Sequence, residues 1–160
     1  MSRSGKIKKR PSEADPIYSS RLVAKLINRV MRDGKKQVAA TLVYNALDQA
    51  SKIVKEESPL NTLKVALDNI KPNLEVRSRR VGGAAYQIPV PIKGDRKETL
   101  SIRWLILAAR ARSNKDFKTF KDKLSAELVD AYKNVGGAVK RKMDTHKMAD
   151  ANKAFAHFRW

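Results

Sequence analysis

The chain contains no cysteine. That excludes a disulfide framework, thiolate zinc sites and a cysteine nucleophile, and it suits a reducing compartment. Long apolar runs are also missing. The longest, Trp104 to Ala109, has six residues, against the roughly 20 that span a bilayer, which excludes a helical membrane protein. Histidine is scarce: His146 and His157 are the two in the chain, and no carboxylate at ligand spacing completes a metal set around them. A glycine-rich phosphate loop of the Walker type is absent, and Gly82-Gly83 and Gly136-Gly137 read as turns. With no clustered acid, base or nucleophile, neither an enzyme nor a cofactor, a metal or a small-molecule substrate is expected. The first residues, Met1 to Pro11, lack the apolar stretch of a secretory signal and read as part of the mature protein.

Positive charge is what the chain has in excess. Thirty-five Lys and Arg stand against sixteen Asp and Glu, a formal net charge of +19 on 160 residues. Such a surplus repels itself and is relieved by a polyanion. Nucleic acid leads the candidates, ahead of an anionic membrane surface and an acidic protein. A membrane binder concentrates its charge on one amphipathic helix, whereas here the charge runs along the whole chain. Apolar residues still make up 42%, enough to fold a domain of this length.

Periodicity divides the chain into an arm and one helical domain. Residues 1–18 read as a basic extended arm, with Pro11 and Pro16 interrupting any helix and Asp15-Pro16 as a turn signal. A helix capped by Ser19 or Ser20 follows, with Leu22, Val23, Leu26, Ile27, Val30 and Met31 on one face. Asp33-Gly34 ends it, with Gly34 in the left-handed position. The second helix spans about 35–55, with Val38, Leu42, Ala46, Ala50 and Val54 as its buried stripe, widened by Leu47 and Ile53. Ser58-Pro59 opens the third, which carries Leu60, Leu63, Leu67 and Ile70. From about 73 to 92 the period falls to two on either side of Gly82-Gly83, a β-hairpin. Pro89 and Pro91 cannot donate to a ladder, so their side of the strand is expected to face solvent or a partner.

A fourth helix, with Leu100, Trp104, Leu107 and Ala111 inward and Ile102, Leu105 and Ile106 widening the stripe, reads as the central one. A fifth starts after Ser113 or Asn114 with Phe117, Phe120, Leu124, Leu128 and Tyr132 inward. The sixth, about 138–155, has few large apolar residues before Phe155 (Val139, Met143 and Met148) and reads as peripheral. The expected fold is mainly α: a six-helix bundle in one domain, 19–160, with a hairpin between the third and fourth helices.

Candidate binding residues fall in clusters. Arg3, Lys6, Lys8, Lys9 and Arg10 make the arm a nucleic-acid ligand that orders on contact. Lys35 and Lys36 open a helix, where the dipole disfavours cations, so the pair points to an external anion or is simply two surface lysines. Arg77, Arg79 and Arg80 lead to the hairpin tip, where guanidinium forks grip phosphates. Arg103, Arg110 and Arg112 flank the fourth helix, where the end of the dipole offers a structural role as well. Lys115, Lys118, Lys121 and Lys123 read mostly as solvated. Phe155 and Phe158 are expected in core or protein contacts rather than on bases, and His157 as a surface hydrogen-bonder. A helix-turn-helix regulator is the competing reading at Asp33-Gly34, but it needs a base-reading helix, usually in a dimer, and gives the hairpin no purpose.

Seven motifs, in order and spread over nearly the whole chain, resemble the family of the seventh protein of the small ribosomal subunit, in its bacterial or plastid form. They are Asp15-Pro16, Asp33-Gly34-Lys35-Lys36, Ser78-Arg79-Arg80-Val81-Gly82-Gly83, Tyr86-Gln87-Ile88-Pro89, Arg103-Trp104, His146-Lys147-Met148-Ala149-Asp150-Ala151-Asn152 and Ala154-Phe155-Ala156-His157-Phe158-Arg159. The resemblance implies a structural protein that binds the 3′ major domain of 16S rRNA and nucleates assembly of the subunit head. It implies a place at the subunit interface in the cytoplasm, near exit-site tRNA and the mRNA path, against small-subunit proteins nine and eleven. Some bacterial members repress their own operon through its mRNA, a role that motifs alone do not transfer.

Carried over by position, the arm, Lys35, Lys36, Arg77, Arg79, Arg80, Arg110 and Arg112 become rRNA contacts. Gly82, Gly83 and Tyr86 mark the tip near exit-site tRNA or the eleventh protein. Lys140, Arg141, Lys147, Phe155, Phe158, Arg159 and Trp160 supply C-terminal contacts. Ala84-Ala85, where small hydroxyl residues are common, and the lysine-rich segment with Phe117 and Phe120 depart from the family pattern.

Overall fold

The computed structural model describes residues 13–56 and 58–158. The arm cations Arg3, Lys6, Lys8, Lys9 and Arg10, and also Arg159 and Trp160, lie outside the described residues. Helices α1 (Arg21–Val30), α2 (Lys36–Val54) and α3 (Pro59–Ile70) precede a hairpin of β1 (Leu74–Val81) and β2 (Ala84–Pro91). Helices α4 (Asp95–Ala111), α5 (Phe120–Tyr132) and α6 (Gly137–Ala151) follow, and a 3-10 turn, Lys153–Phe158, closes the described chain. This is the mainly helical bundle with an inserted hairpin that the periodicity predicts.

The core is aliphatic. Leu26, Leu47, Leu63, Leu67, Ile70, Leu105, Leu124 and Leu128 are all fully buried. Helix α5 lies against α2, α3, α4 and α6, while α4 touches α1, α3, α5 and α6, so the two share the centre. Sequence placed the fifth helix too early. Thr119 is the true cap, its side chain accepting from the Asp122 amide, and residues 113–119 form turns. Phe117 therefore sits in the loop, with the Arg112 guanidinium 5.5 Å from its ring centre.

Several apolar expectations, Ala111 of α4 among them, are rotated away from the core. In α2 the buried positions are Ala39, Val43, Ala46, Leu47, Ala50 and Ser51; Val38 is 58% exposed and Ile53 is also exposed. Small residues on that face let α2 approach its neighbours closely, so the alanines mark the contact better than the larger aliphatics do. Leu107 in α4 is exposed for the same reason, with Ala109 buried in its place. At the hairpin, Pro91 faces solvent but Pro89 is buried beside Ile88, because the base of the ribbon rests on α6 and the C-terminal turn.

The hairpin is regular, pairing Leu74 with Pro91 through to Val81 with Ala84. Gly82 and Gly83 both have positive φ, 58° and 90°, the two-residue turn whose twist matches that of the strands. Near its base, Glu75 is 8% exposed and pairs with Arg77 and Arg96. Burial pushes this carboxyl up, but the Arg96 and Arg77 hydrogen bonds outweigh it and hold the group below its ordinary range.

Residues 15–18, read from sequence as the end of the arm, form a turn docked on the bundle. Asp15 is 4% exposed. Its carboxylate accepts from the Ile17 and Tyr18 amides at 3.2 and 3.0 Å and from the Tyr44 hydroxyl at 2.6 Å. Tyr18 donates to Asp48 at 3.0 Å, with its ring 5.8 Å from that of Tyr44. Burial, reinforced by these carboxylates, pushes both phenols up to about 12. A phenol whose pKa is raised on folding adds stability that is complete below about pH 10 and is lost as pH climbs toward 12. The urea midpoint of the wild type is therefore expected to fall more steeply over pH 10–12 than that of Tyr18→Phe/Tyr44→Phe. Parallel curves would show that this turn does not control alkaline stability.

Candidate nucleic-acid interface

The turn between α1 and α2 gathers cations that the sequence scatters over eighty positions. Helix α1 buries Val23, Leu26, Ile27 and Val30, which leaves Arg29 outside, with Arg32 exposed just beyond the helix end. Asp33 and Gly34 both adopt positive φ, 52° and 73°, reversing the chain so that Lys35 caps α2 and Lys36 begins it. No acidic residue occupies the first turn of α2, so nothing there offsets the dipole. From the far end of α4, Arg110 reaches in and donates through Nη2 to the Val30 carbonyl at 3.2 Å.

None of the ion pairs among the described residues involves Arg29, Arg32, Lys35, Lys36 or Arg110. Burial, then the Arg32 and Arg29 charges, hold the Arg110 guanidinium below its usual value. A cluster of like charges left uncompensated is a preformed anion site. Sequence identified Lys35, Lys36 and Arg110 but missed Arg29 and Arg32. Their signal was there: both fall off the apolar stripe of α1, beside the turn already singled out.

The hairpin forms a second basic element. Arg77, Arg79 and Arg80 are exposed on β1. Arg77 spends part of its charge on Glu75, at 2.5 Å.

Arg112 must be reassigned. Its side chain is largely covered and paired with Glu127 and Asp130, so it joins α4 to α5 rather than projecting toward RNA. Lys123, expected in solvent, is also buried; its ammonium donates to the Arg112 carbonyl and to Asn114 Oδ1. Both corrections have one cause. Buried Glu127 needs a cation, and the chain turns sharply enough after α4 to deliver Arg112 and its carbonyl inward.

At the C-terminus Tyr86 is not a free tip residue. Its ring lies 5.2 Å from that of Phe155 and 5.6 Å from that of Phe158, and this clasp holds the 3-10 turn on β2. The two phenylalanines thus make intramolecular contacts with the hairpin. His157 bonds locally to the Ala154 carbonyl, and His146 Nε2 accepts from the Asn73 amide at 3.1 Å, joining α6 to the start of β1. Lys140, Arg141 and Lys147 remain exposed on α6 beside half-exposed Met143 and Met148. Aromatic pairs contribute about 0.5–1.5 kcal/mol each. Phe155→Ala is accordingly expected to speed amide exchange several-fold in the 153–158 turn and in β2, with helix content unchanged. Unaltered exchange would mean that the clasp holds nothing.

Among the described residues no group of three or more His, Cys, Asp or Glu is placed to hold a metal ion, and no helix is long and apolar enough to cross a membrane. The family model for ribosomal protein S7p/S5e matches residues 2–153. The chain belongs to that family. It is 55% identical over 163 residues, with both chains covered in full, to "Small ribosomal subunit protein uS7" of Caldicellulosiruptor saccharolyticus. Full-length relatives bearing the same name in Bifidobacterium longum subsp. infantis and Nitratidesulfovibrio vulgaris are 54% and 53% identical over 160 residues. Membership makes this a structural ribosomal protein and not an enzyme, in agreement with the motif resemblance.

Proposed function

We propose that this chain is the small-subunit protein that binds the 3′ major domain of 16S rRNA directly and starts assembly of the subunit head. The observation that carries the reading is the cluster of Arg29, Arg32, Lys35, Lys36 and Arg110 at the α1–α2 turn, uncompensated by any ion pair among the described residues. Phosphate contacts there and along the N-terminal arm position the RNA. Selectivity comes from RNA shape and unstacked loops, because side chains cannot read the deep groove of an A-form helix. The hairpin tip and the C-terminal turn serve a later step, facing exit-site tRNA, the mRNA path and the eleventh protein, with the ninth protein as a further neighbour. Repression of its own operon would use the same RNA-binding surface on the messenger. The helix-turn-helix alternative gives no purpose to the hairpin and its exposed arginines.

A filter-binding titration of the full chain at several salt concentrations tests the proposal. It compares a 3′ major-domain rRNA fragment with duplex DNA of equal charge. Tight binding to the fragment should survive excess DNA, while affinity falls on the order of 10³–10⁵ between 50 and 200 mM salt for about 6–10 phosphate contacts, as for duplex DNA. Equal affinity for both nucleic acids at every salt concentration would reduce the protein to a polycation and overturn the reading.

A further inference from the structure

Beside the cation cluster lies a hollow that phosphate binding alone does not use. It has a volume of about 300 Å³ and is lined on its apolar side by Val38, Leu42 and Phe120, and on its rim by Arg32, Lys35 and Arg110. Val38 is 58% exposed, although its place in the helix pattern would suit a core residue. It and Phe120 thus leave an apolar floor open to solvent beside Arg32, Lys35 and Arg110.

Resting on the reading that this surface binds rRNA, we propose that the hollow receives one unstacked base of that RNA, with the phosphates on either side held by Arg32, Lys35 and Arg110. The size fits, since a dry cavity of roughly 150 Å³ already admits a benzene ring. The chemistry fits as well. A base offers an apolar face to Val38, Leu42 and the Phe120 ring, and guanidinium planes can lie against it. The polar edge of the base would meet Asp33, the one carboxylate in the lining, which can accept from a ring or exocyclic N–H. The rim decides between occupants. An apolar side chain from a neighbouring protein would fill the floor but bring no anion to the rim cations, whereas a nucleotide satisfies both at once.

Placing the base here gives the surface a way to choose among equally charged RNAs. Counterion release is blind to sequence, and an A-form helix has no base to offer a hollow of this kind. Only a loop or bulge with an extruded nucleotide can fill it.

The test uses Val38→Trp in the full chain. Val38 is on the surface, so the variant is expected to keep its circular dichroism and thermal midpoint while its indole occupies the hollow. Affinity for the 3′ major-domain fragment should fall roughly tenfold or more, the range in which base stacking acts, with an unchanged salt slope because no charge is altered. Chemical probing should show a single loop base, shielded by the wild type, becoming reactive with the variant. Ile53→Trp, the same kind of change at an exposed position of α2 that does not line the hollow, should bind within about threefold of the wild type. Wild-type affinity and an unchanged protection pattern for Val38→Trp would overturn the base site. So would normal RNA binding combined with failure to take up a neighbouring protein, which would make the hollow a protein contact. If the wild type itself fails to prefer the fragment over DNA, the broader proposal falls, and this one with it.

Discussion

Replacing Lys35 and Lys36 together by alanine is expected to weaken binding to the 3′ major-domain fragment by roughly thirtyfold at 0.1 M salt. The figure follows from counterion release: each phosphate neutralised contributes a slope of about 0.7–0.9 in log affinity against log salt. Two contacts therefore account for about 1.4–1.8 decades between 0.1 and 1 M. The loss should shrink as salt rises and the slope should drop by nearly two, which distinguishes lost phosphate contacts from a damaged fold. Helix α2 should not suffer, because both lysines are exposed and removing cations from a helix N-terminus relieves an unfavourable dipole interaction. The matched control is Lys115→Ala/Lys118→Ala, which removes the same charge from exposed turns before α5 and should change affinity less than about threefold. Equal losses in both doubles would show that binding responds to net charge alone, and the α1–α2 turn would lose its special standing.

What could be read in the sequence depended on how local the cause was. The turn at Asp33-Gly34, the two-glycine hairpin and the proline-opened third helix follow from backbone preferences of a few residues, and each is where it was expected. Helix existence followed from periodicity. Helix faces were harder, because α2 has two candidate stripes and packing selected the alanine-rich one; Val38 was misplaced for that reason, and with it the hollow went unseen. Binding residues split the same way. Lys35 and Lys36 stand out against the dipole, and their exposure needs no tertiary information. Arg110 and Arg112 are two positions apart and look alike in sequence, yet one joins the exposed cations and the other is committed to Glu127. Only the fold separates them, because the difference lies in a carboxylate fifteen residues away.

That carboxylate carries the largest expected effect on stability. Glu127 is 1% exposed and serves three elements. Its Oε2 accepts from Arg112 Nε at 2.7 Å, bringing the end of α4 to α5, and its Oε1 accepts from the Ala138 amide at 2.9 Å, satisfying one of the orphan N–H groups that open α6. The approach is close. Gly136 has φ of 95° and a Cβ there would lie 3.0 Å from Asp130 Cβ and 3.2 Å from Glu127 Oε1, so only glycine lets α6 start against this carboxylate. Burial works against the Arg112 charge, but the hydrogen bonds to Asp130 and Glu127 outweigh it and raise its pKa. Glu127→Leu removes one of the two carboxylates that hold Arg112, leaving Asp130, and strands the Ala138 amide, a loss toward the lower end of the about 3–5 kcal/mol seen for broken buried pairs. At about 2–4 °C per kcal/mol for a domain of this size, the thermal midpoint should fall on the order of 10 °C. Combining Glu127→Leu with Arg112→Met should recover part of that loss, because it removes the under-compensated charge while the Ala138 amide stays without its acceptor. The double variant also separates structure from function: with Arg112 gone and part of the stability recovered, affinity for the rRNA fragment should stay within about threefold of the wild type. A midpoint shift below about 2 °C for Glu127→Leu would deny the buried pair its structural role. A large affinity loss in the stable double variant would return Arg112 to the RNA-binding surface.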